Sequence, residues 1–315
     1  MKTFSGLDVA GICADYERQV RAICEGELPV ALELSGRLDP AHWTLEWNIA
    51  AWVGEALLTD ESILRQITLS NVLGLAAIVL FDDLEDGEVD LVGLKDAAPI
   101  AEALYQSFMA PYRALFDADS PFWAERDRLM AAWRRATSSA SMRSGASPSR
   151  DAIAADLAAR GAPLKISVTA LCRLADSRRT LSQLDSCLDH ALTAMVLYDH
   201  FVDWREDLDA DRWNAFVEHA CAWPAPQLGD ARAPNRVEVA MVSSDAITTY
   251  FDSIRGELNA ATGLAAAAGI GGLLDHLVRV EEELNAQGRN TAERYRALGR
   301  SAERLVFGGY PIQAA

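Results

Sequence analysis

Two short acidic runs are the residues in this chain best suited to do chemistry. The first is Phe81-Asp82-Asp83-Leu84-Glu85-Asp86, in which Asp82 and Asp86 stand four apart and share one helical face. The second is Asp199-His200-Phe201-Val202-Asp203-Trp204-Arg205-Glu206-Asp207. Its Asp199, Asp203 and Asp207 fall at i, i+4 and i+8, within about 80° of one another on a helix. Carboxylates in such rows suit a hard divalent cation like Mg²⁺, which takes oxygen ligands and is often shared between carboxylates and a phosphate. Either run alone would read as a solvated helix end. Both, however, continue apolar stripes: Leu75, Ile78 and Val79 lead into the first, and Leu188, Leu192, Met195 and Val196 into the second. Carboxylates turned toward an apolar interior are costly unless something offsets their charge.

Such rows need helices to hold them, and the rest of the chain reads as helix. Alanine, leucine, arginine and glutamate dominate, prolines cluster between periodic segments, and alternating β-branched runs are absent from the sequence. The pattern predicts helices near 7–25, 42–57, 61–84, 97–117, 121–138, 150–159, 164–175, 181–206, 210–221, 236–262, 270–287 and 290–306. The Ser/Gly-rich stretch 138–149 reads as a loop. The most apolar run, Ile67–Phe81, has 15 residues, shorter than the roughly 20 of a membrane span, and reads as a buried core helix. No repeat or composition shift divides the chain. The expectation is a single all-α domain over residues 1–315.

Composition narrows the function classes. Half of the 315 residues are hydrophobic, enough for a sizeable core, which excludes global disorder. Lys and Arg number 29 against 46 Asp and Glu, a formal net charge of −17, which argues against a nucleic-acid surface. Lysine is confined to Lys2, Lys95 and Lys165. The five cysteines are scattered without a C-x-x-C pair, as reduced thiols would be, and the N-terminal stretch has no secretory pattern. A cytoplasmic protein without a membrane span is expected, with a homodimer left open.

Taken together, the two motifs resemble those of the class I isoprenoid synthase superfamily: terpene cyclases, trans-prenyl diphosphate synthases and squalene-synthase-like enzymes. Asp82-Asp83-Leu84-Glu85-Asp86 matches the D-D-x-x-D motif. Asp199, Asp203 and Asp207 match the spacing of the second metal motif, with Asp203 where cyclases usually carry Ser or Thr and Asp207 where they carry Glu. The stretch Arg160-Gly161-Ala162-Pro163-Leu164-Lys165 looks like a basic diphosphate-contacting segment, and Arg294-Tyr295 resembles the C-terminal Arg-Tyr pair of cyclases. The main likeness spans residues 82–207. It implies an all-α helical bundle with a central active-site cavity and Mg²⁺ joining both acidic walls to a prenyl diphosphate. In that scheme Asp82, Asp83, Asp86, Asp199, Asp203 and Asp207 are metal ligands, with Asp82, Asp86, Asp199 and Asp203 the catalytic core. Lys165, Arg294 and Tyr295 contact the diphosphate, and Phe81 and Trp204 flank the substrate.

The implied chemistry is ionisation. Diphosphate leaves only when its charge is neutralised, which metal ions and cationic side chains accomplish. The allylic cation must then be kept from water, and an aromatic face steadies it by about 0.5–2 kcal/mol. Chain elongation needs a second diphosphate pocket, which in elongating enzymes resembles an N-terminal Gly-Lys-x-x-Arg segment and an Arg-Arg pair after the first motif. Here no lysine lies between Lys2 and Lys95, no arginine lies in Gly87–Gly93, and His200 replaces the second acid of the usual Asp-Asp pair. The sequence is therefore read as a class I terpene synthase (cyclase). The alternative is a prenyltransferase, either chain-elongating or of the squalene-synthase head-to-head type. A non-catalytic helical partner protein with acidic surface runs is the third reading.

Overall fold

The computed structural model describes residues 7–24, 45–86, 97–140, 150–223 and 234–307. Among them the chain is helical, with short connections and no strand, so the all-α expectation holds. It separates into two compact units that composition alone does not mark. One comprises Met1–Thr137, Ala159–Leu188 and Leu264–His276; the other comprises Ser138–Ala158, Asp189–Gly263 and Leu277–Ala315.

The first unit is organised around α3 (Glu61–Asp86), which packs against α1 (Val9–Ile23), α2 (Leu45–Ala56), α4 (Ala97–Leu115) and α7 (Lys165–Leu174). By length and composition its Glu61–Phe81 stretch could cross a membrane. Within the unit it is the core helix that the sequence predicts: Ile67, Val72, Leu73, Ala77 and Leu80 are buried. Small residues let α4 come close. Ser70 Oγ donates to the Phe108 carbonyl at 2.6 Å, and a Cβ on Gly74 would stand 2.6 Å from Phe108 Cδ2. Pro111 lies inside α4 and offers no N–H to the preceding turn. Asn71 accepts from Ser167 Oγ at 2.8 Å, which ties α3 to α7 through a buried polar pair. Arg65 reaches Asp15 at 2.5 Å and joins α3 to α1. The helices α5 (Pro121–Ala140) and α7 are bridged by Arg173 and Glu125. The first three residues of the loop predicted over 138–149 are helical, because α5 continues through Ala140; residues 141–149 lie outside the described ones.

Two helices carry the chain between these groups: α6 (Arg150–Arg160) and α8 (Arg178–Val202). The second unit then contains α9 (Trp204–Asp209), α10 (Ala215–Cys221), α11 (Pro234–Ser243), most of α12 (Ala246–Ala268) and most of α13 (Gly271–Phe307). Here the boundaries depart from the sequence pattern. The helix predicted over 236–262 is two, divided at Ser244-Asp245. Ser244 Oγ donates to the Ala240 carbonyl at 2.5 Å and accepts from the Ala246 N–H at 3.1 Å, closing one helix and starting the next. Conversely, the helices predicted at 270–287 and 290–306 are one helix of 37 residues. Gly288 looks like a stop signal in sequence, yet it stays helical because Phe251 of α12 lies against it, 2.5 Å from where a Cβ would be.

Gly288→Ala is therefore expected to cost about 1–3 kcal/mol through overpacking against Phe251. Gly256→Ala on α12, where a Cβ meets nothing within 4 Å, is expected to gain up to about 1 kcal/mol. Urea unfolding of both variants checks the opposite signs, and equal shifts would exclude the close approach.

Candidate active site: the acidic motifs and their supports

The first motif ends α3, whose helical backbone runs through Asp86. That backbone keeps Asp82 and Asp86 in line with Leu75 and Val79, which are half-buried, and with buried Ile78. The stripe leading to these acids is thus partly open rather than fully sunk. The carboxylates of Asp82, Asp83 and Asp86 lie outside the described side chains. Phe81 and Leu84 project from a different side, about 120° and 180° from the Asp82–Asp86 line. They line a cavity of about 380 Å³ with Glu102, Tyr105, Met130, Trp133 and Arg134. Adjacency in sequence placed Phe81 beside the metal motif, but helical register gives it another wall.

The second motif crosses a helix break. The helix predicted over 181–206 stops at Val202, and Asp203 becomes the N-cap position of α9. The spacing survives the break because the i→i+4 bonding continues: the Asp203 N–H donates to the Asp199 carbonyl at 2.8 Å, and the Asp207 N–H to the Asp203 carbonyl at 2.9 Å. Asp199 and Asp203 are exposed, and Asp207 is half-buried. Upstream on the same stripe Leu192 is buried, while Met195 and Val196 are half-buried. Burial raises the Tyr250 phenol well above its usual pKa, and the Asp199 charge adds to the rise. That phenol donates to the Leu197 carbonyl at 2.8 Å.

Asp207 has its own supports. Its Oδ1 lies 3.1 Å from Arg212 Nε, and its Oδ2 accepts from Asn214 Nδ2 at 2.7 Å. The same amide nitrogen donates to the His200 carbonyl at 2.8 Å, and Asn214 Oδ1 accepts from the Val217 N–H at 3.0 Å, capping α10. His200 Nδ1 accepts from the Ala215 N–H at 3.2 Å, and its ring meets Trp213 edge-on at 5.4 Å. The sequence pattern ran a helix from 210 and missed Asn214. The available signal was an Asn immediately before the apolar run Ala215-Phe216-Val217, an N-cap pattern.

Of the remaining candidates, Trp204 is buried, with the Arg205 guanidinium 5.0 Å above its ring. Arg205 pairs with Glu238. Lys165 starts α7 and is buried, its ammonium donating to the Asp185 carbonyl at 3.0 Å and to its Oδ1 at 2.9 Å. Arg294 is exposed and Tyr295 half-buried on α13. The first unit therefore carries the first motif and Lys165; the second carries Asp199, Asp203, Asp207, Trp204, Arg294 and Tyr295.

Among the described residues, no three His, Cys, Asp or Glu side chains are clustered to hold a metal ion. The second motif nonetheless fits Mg²⁺ by donor chemistry. It offers carboxylates only, two of them on exposed residues of one face, and Mg²⁺ usually binds through one or two carboxylates plus phosphate and water.

The sequence matches no protein-family model. It matches no curated protein either. The fold, in contrast, is shared with solved structures. One is a geranylgeranyl pyrophosphate synthetase from the archaeon Geoglobus acetivorans, which aligns over 87% of this chain and 97% of its own with a TM-score of 0.65 and 15% identity. The chain thus shares the all-α fold of that synthetase.

Asp185→Ala is expected to destabilise the protein by on the order of 2 kcal/mol, since it leaves the Lys165 ammonium buried without its carboxylate. Thermal unfolding of Asp185→Ala beside Asp185→Asn checks this. A loss in the alanine variant that asparagine partly restores is the expected pattern.

Proposed function

We propose that this protein is an Mg²⁺-dependent class I terpene synthase, a lyase that ionises a linear prenyl diphosphate, cyclises the cation and releases diphosphate. The observation that carries the reading is the pair of acidic motifs, with their spacing kept, on a chain with the isoprenoid-synthase fold. Asp82, Asp83 and Asp86 are assigned as metal ligands in the first motif, and Asp199, Asp203 and Asp207 in the second. Mg²⁺ bound there supplies charge neutralisation for the leaving diphosphate. Arg294 and Tyr295 are assigned to the diphosphate by resemblance. Lys165 is assigned likewise, and would have to exchange its Asp185 contacts to serve. Trp204 and Phe81 are assigned to the hydrocarbon; Trp204 lies under Arg205 and Phe81 in its own cavity, so these two assignments rest on sequence position.

Cyclisation is favoured over elongation because the sequence lacks both basic elements of a second diphosphate pocket. A prenyltransferase is the second reading, favoured by the solved relative in fold, which is a synthetase of geranylgeranyl pyrophosphate.

The test is incubation with Mg²⁺ and C10, C15, C20 or C25 prenyl diphosphates, with and without isopentenyl diphosphate. Cyclic hydrocarbons or alcohols are expected; longer diphosphates would establish the transferase. Asp82→Ala is expected to slow diphosphate release by about 100-fold or more while helicity by circular dichroism is kept. Turnover retained in that variant would overturn the assignment.

A further inference from the structure

Asn214 is 2% exposed, and its side-chain amide touches three successive pieces of the second unit. Nδ2 donates to the carbonyl of His200 near the end of α8 and to the carboxylate of Asp207 on α9. Oδ1 accepts from the Val217 N–H at the start of α10. An amide has two N–H donors and one carbonyl oxygen, and all of these functions are engaged here. A side chain tied at that many points has little freedom to move. The group it holds most specifically is the Asp207 carboxylate, the only one of its partners that is itself a side chain.

A cap alone does not require this arrangement. Ser or Thr would cap α10 equally well, since one oxygen accepting from the N–H three residues on is enough. The amide nitrogen adds something a cap does not need: it fixes which way the Asp207 carboxylate points. It engages Oδ2 at 2.7 Å while Arg212 Nε stands 3.1 Å from Oδ1. Each carboxylate oxygen has two acceptor positions, so one such contact does not exhaust it. Carboxylates that bind metals are commonly oriented by this kind of neighbouring hydrogen bond, and loss of the neighbour weakens metal binding about 10–100-fold.

We infer that Asn214 is a positioning residue for the second acidic motif, holding the Asp207 carboxylate ready for a divalent cation. The inference rests on the proposed metal-binding role of that motif. It adds a residue outside both motifs, set seven positions beyond Asp207, that brings the break between α8 and α10 to a defined geometry.

The experiment uses the full chain with Mn²⁺ and inorganic diphosphate as probes, and reads Mn²⁺ affinity by calorimetry beside metal-free melting. Asn214→Ser and Asn214→Thr keep the capping oxygen and lose the amide; Asn214→Ala loses both. Mn²⁺ binding about 10–100-fold weaker is expected in all three, with melting lowered least for Ser and Thr, which keep the cap, and most for Ala. Combining Asn214→Ser with Asp207→Asn is expected to weaken binding no further than Asp207→Asn alone. Wild-type affinity in the Ser and Thr variants would overturn the positioning role and leave the metal-binding reading intact. An affinity loss that follows melting temperature across the three variants would also overturn it, as would additive losses in the double variant. Absence of Mn²⁺ binding by the wild-type protein with diphosphate would overturn both readings.

Discussion

An apolar helix of 26 residues has to be surrounded, and the first unit is built to satisfy that constraint on α3. Four helices supply the cover. How near they come is decided by side chains that are almost absent: at Gly74 the Phe108 ring occupies the space a methyl group would take, and Ser70 turns its hydroxyl onto the Phe108 carbonyl. One buried polar pair inside this contact joins Ser167 to Asn71. Such a pair contributes little net stability, but a shift along the helix axis would orphan both members. It therefore fixes the register of α3, and with it the position of the acidic turn at its end.

The second unit solves a different problem. Its acids run past the end of a helix, where a line of carboxylates would normally lose its alignment. Continued i→i+4 bonding through Asp203 preserves the line, and the segment from Arg212 to Val217 braces it from the side. Aromatic packing underlies that brace: Phe201 meets Phe216 and Phe251 edge-on at 5.0 and 4.9 Å. The row of acids, exposed at Asp199 and Asp203 and half-buried at Asp207, thus stands on packed aromatic rings.

Much of this was legible in the residues. The all-α class followed from composition and period, and the acidic motifs stood out through their spacing. Helix boundaries were legible where proline or a run of polar residues marks them, as at Pro121. They failed where tertiary contact overrides a local signal. Gly288 reads as a stop, but a glycine is also the residue that lets two helices touch, and sequence does not distinguish the two uses. Ser244 reads as an ordinary helix residue until its hydroxyl is seen bonding on both sides of the break. Asn214 carried a cap signal, while its grip on Asp207 depends on a fold-back of the chain that no local pattern encodes. Phe81 shows the converse: one residue from Asp82 in sequence, it faces another way because each step along a helix turns about 100°.

The end of α3 sets carboxylates where a helix least favours them. Its final turns hold Asp82, Asp83, Glu85 and Asp86, with no basic residue in the last turn. The aligned peptide dipoles of a helix put partial negative charge at that end, so each acid there is opposed by about 0.3–1 kcal/mol. A cation gathered by these acids would cancel both their mutual repulsion and the clash with the dipole. Were a cation to bind there, formation of the last turn of α3 and its occupancy would be linked, each raising the other by the same free energy. Ionic conditions would thus act on the helix itself as well as on whatever it binds.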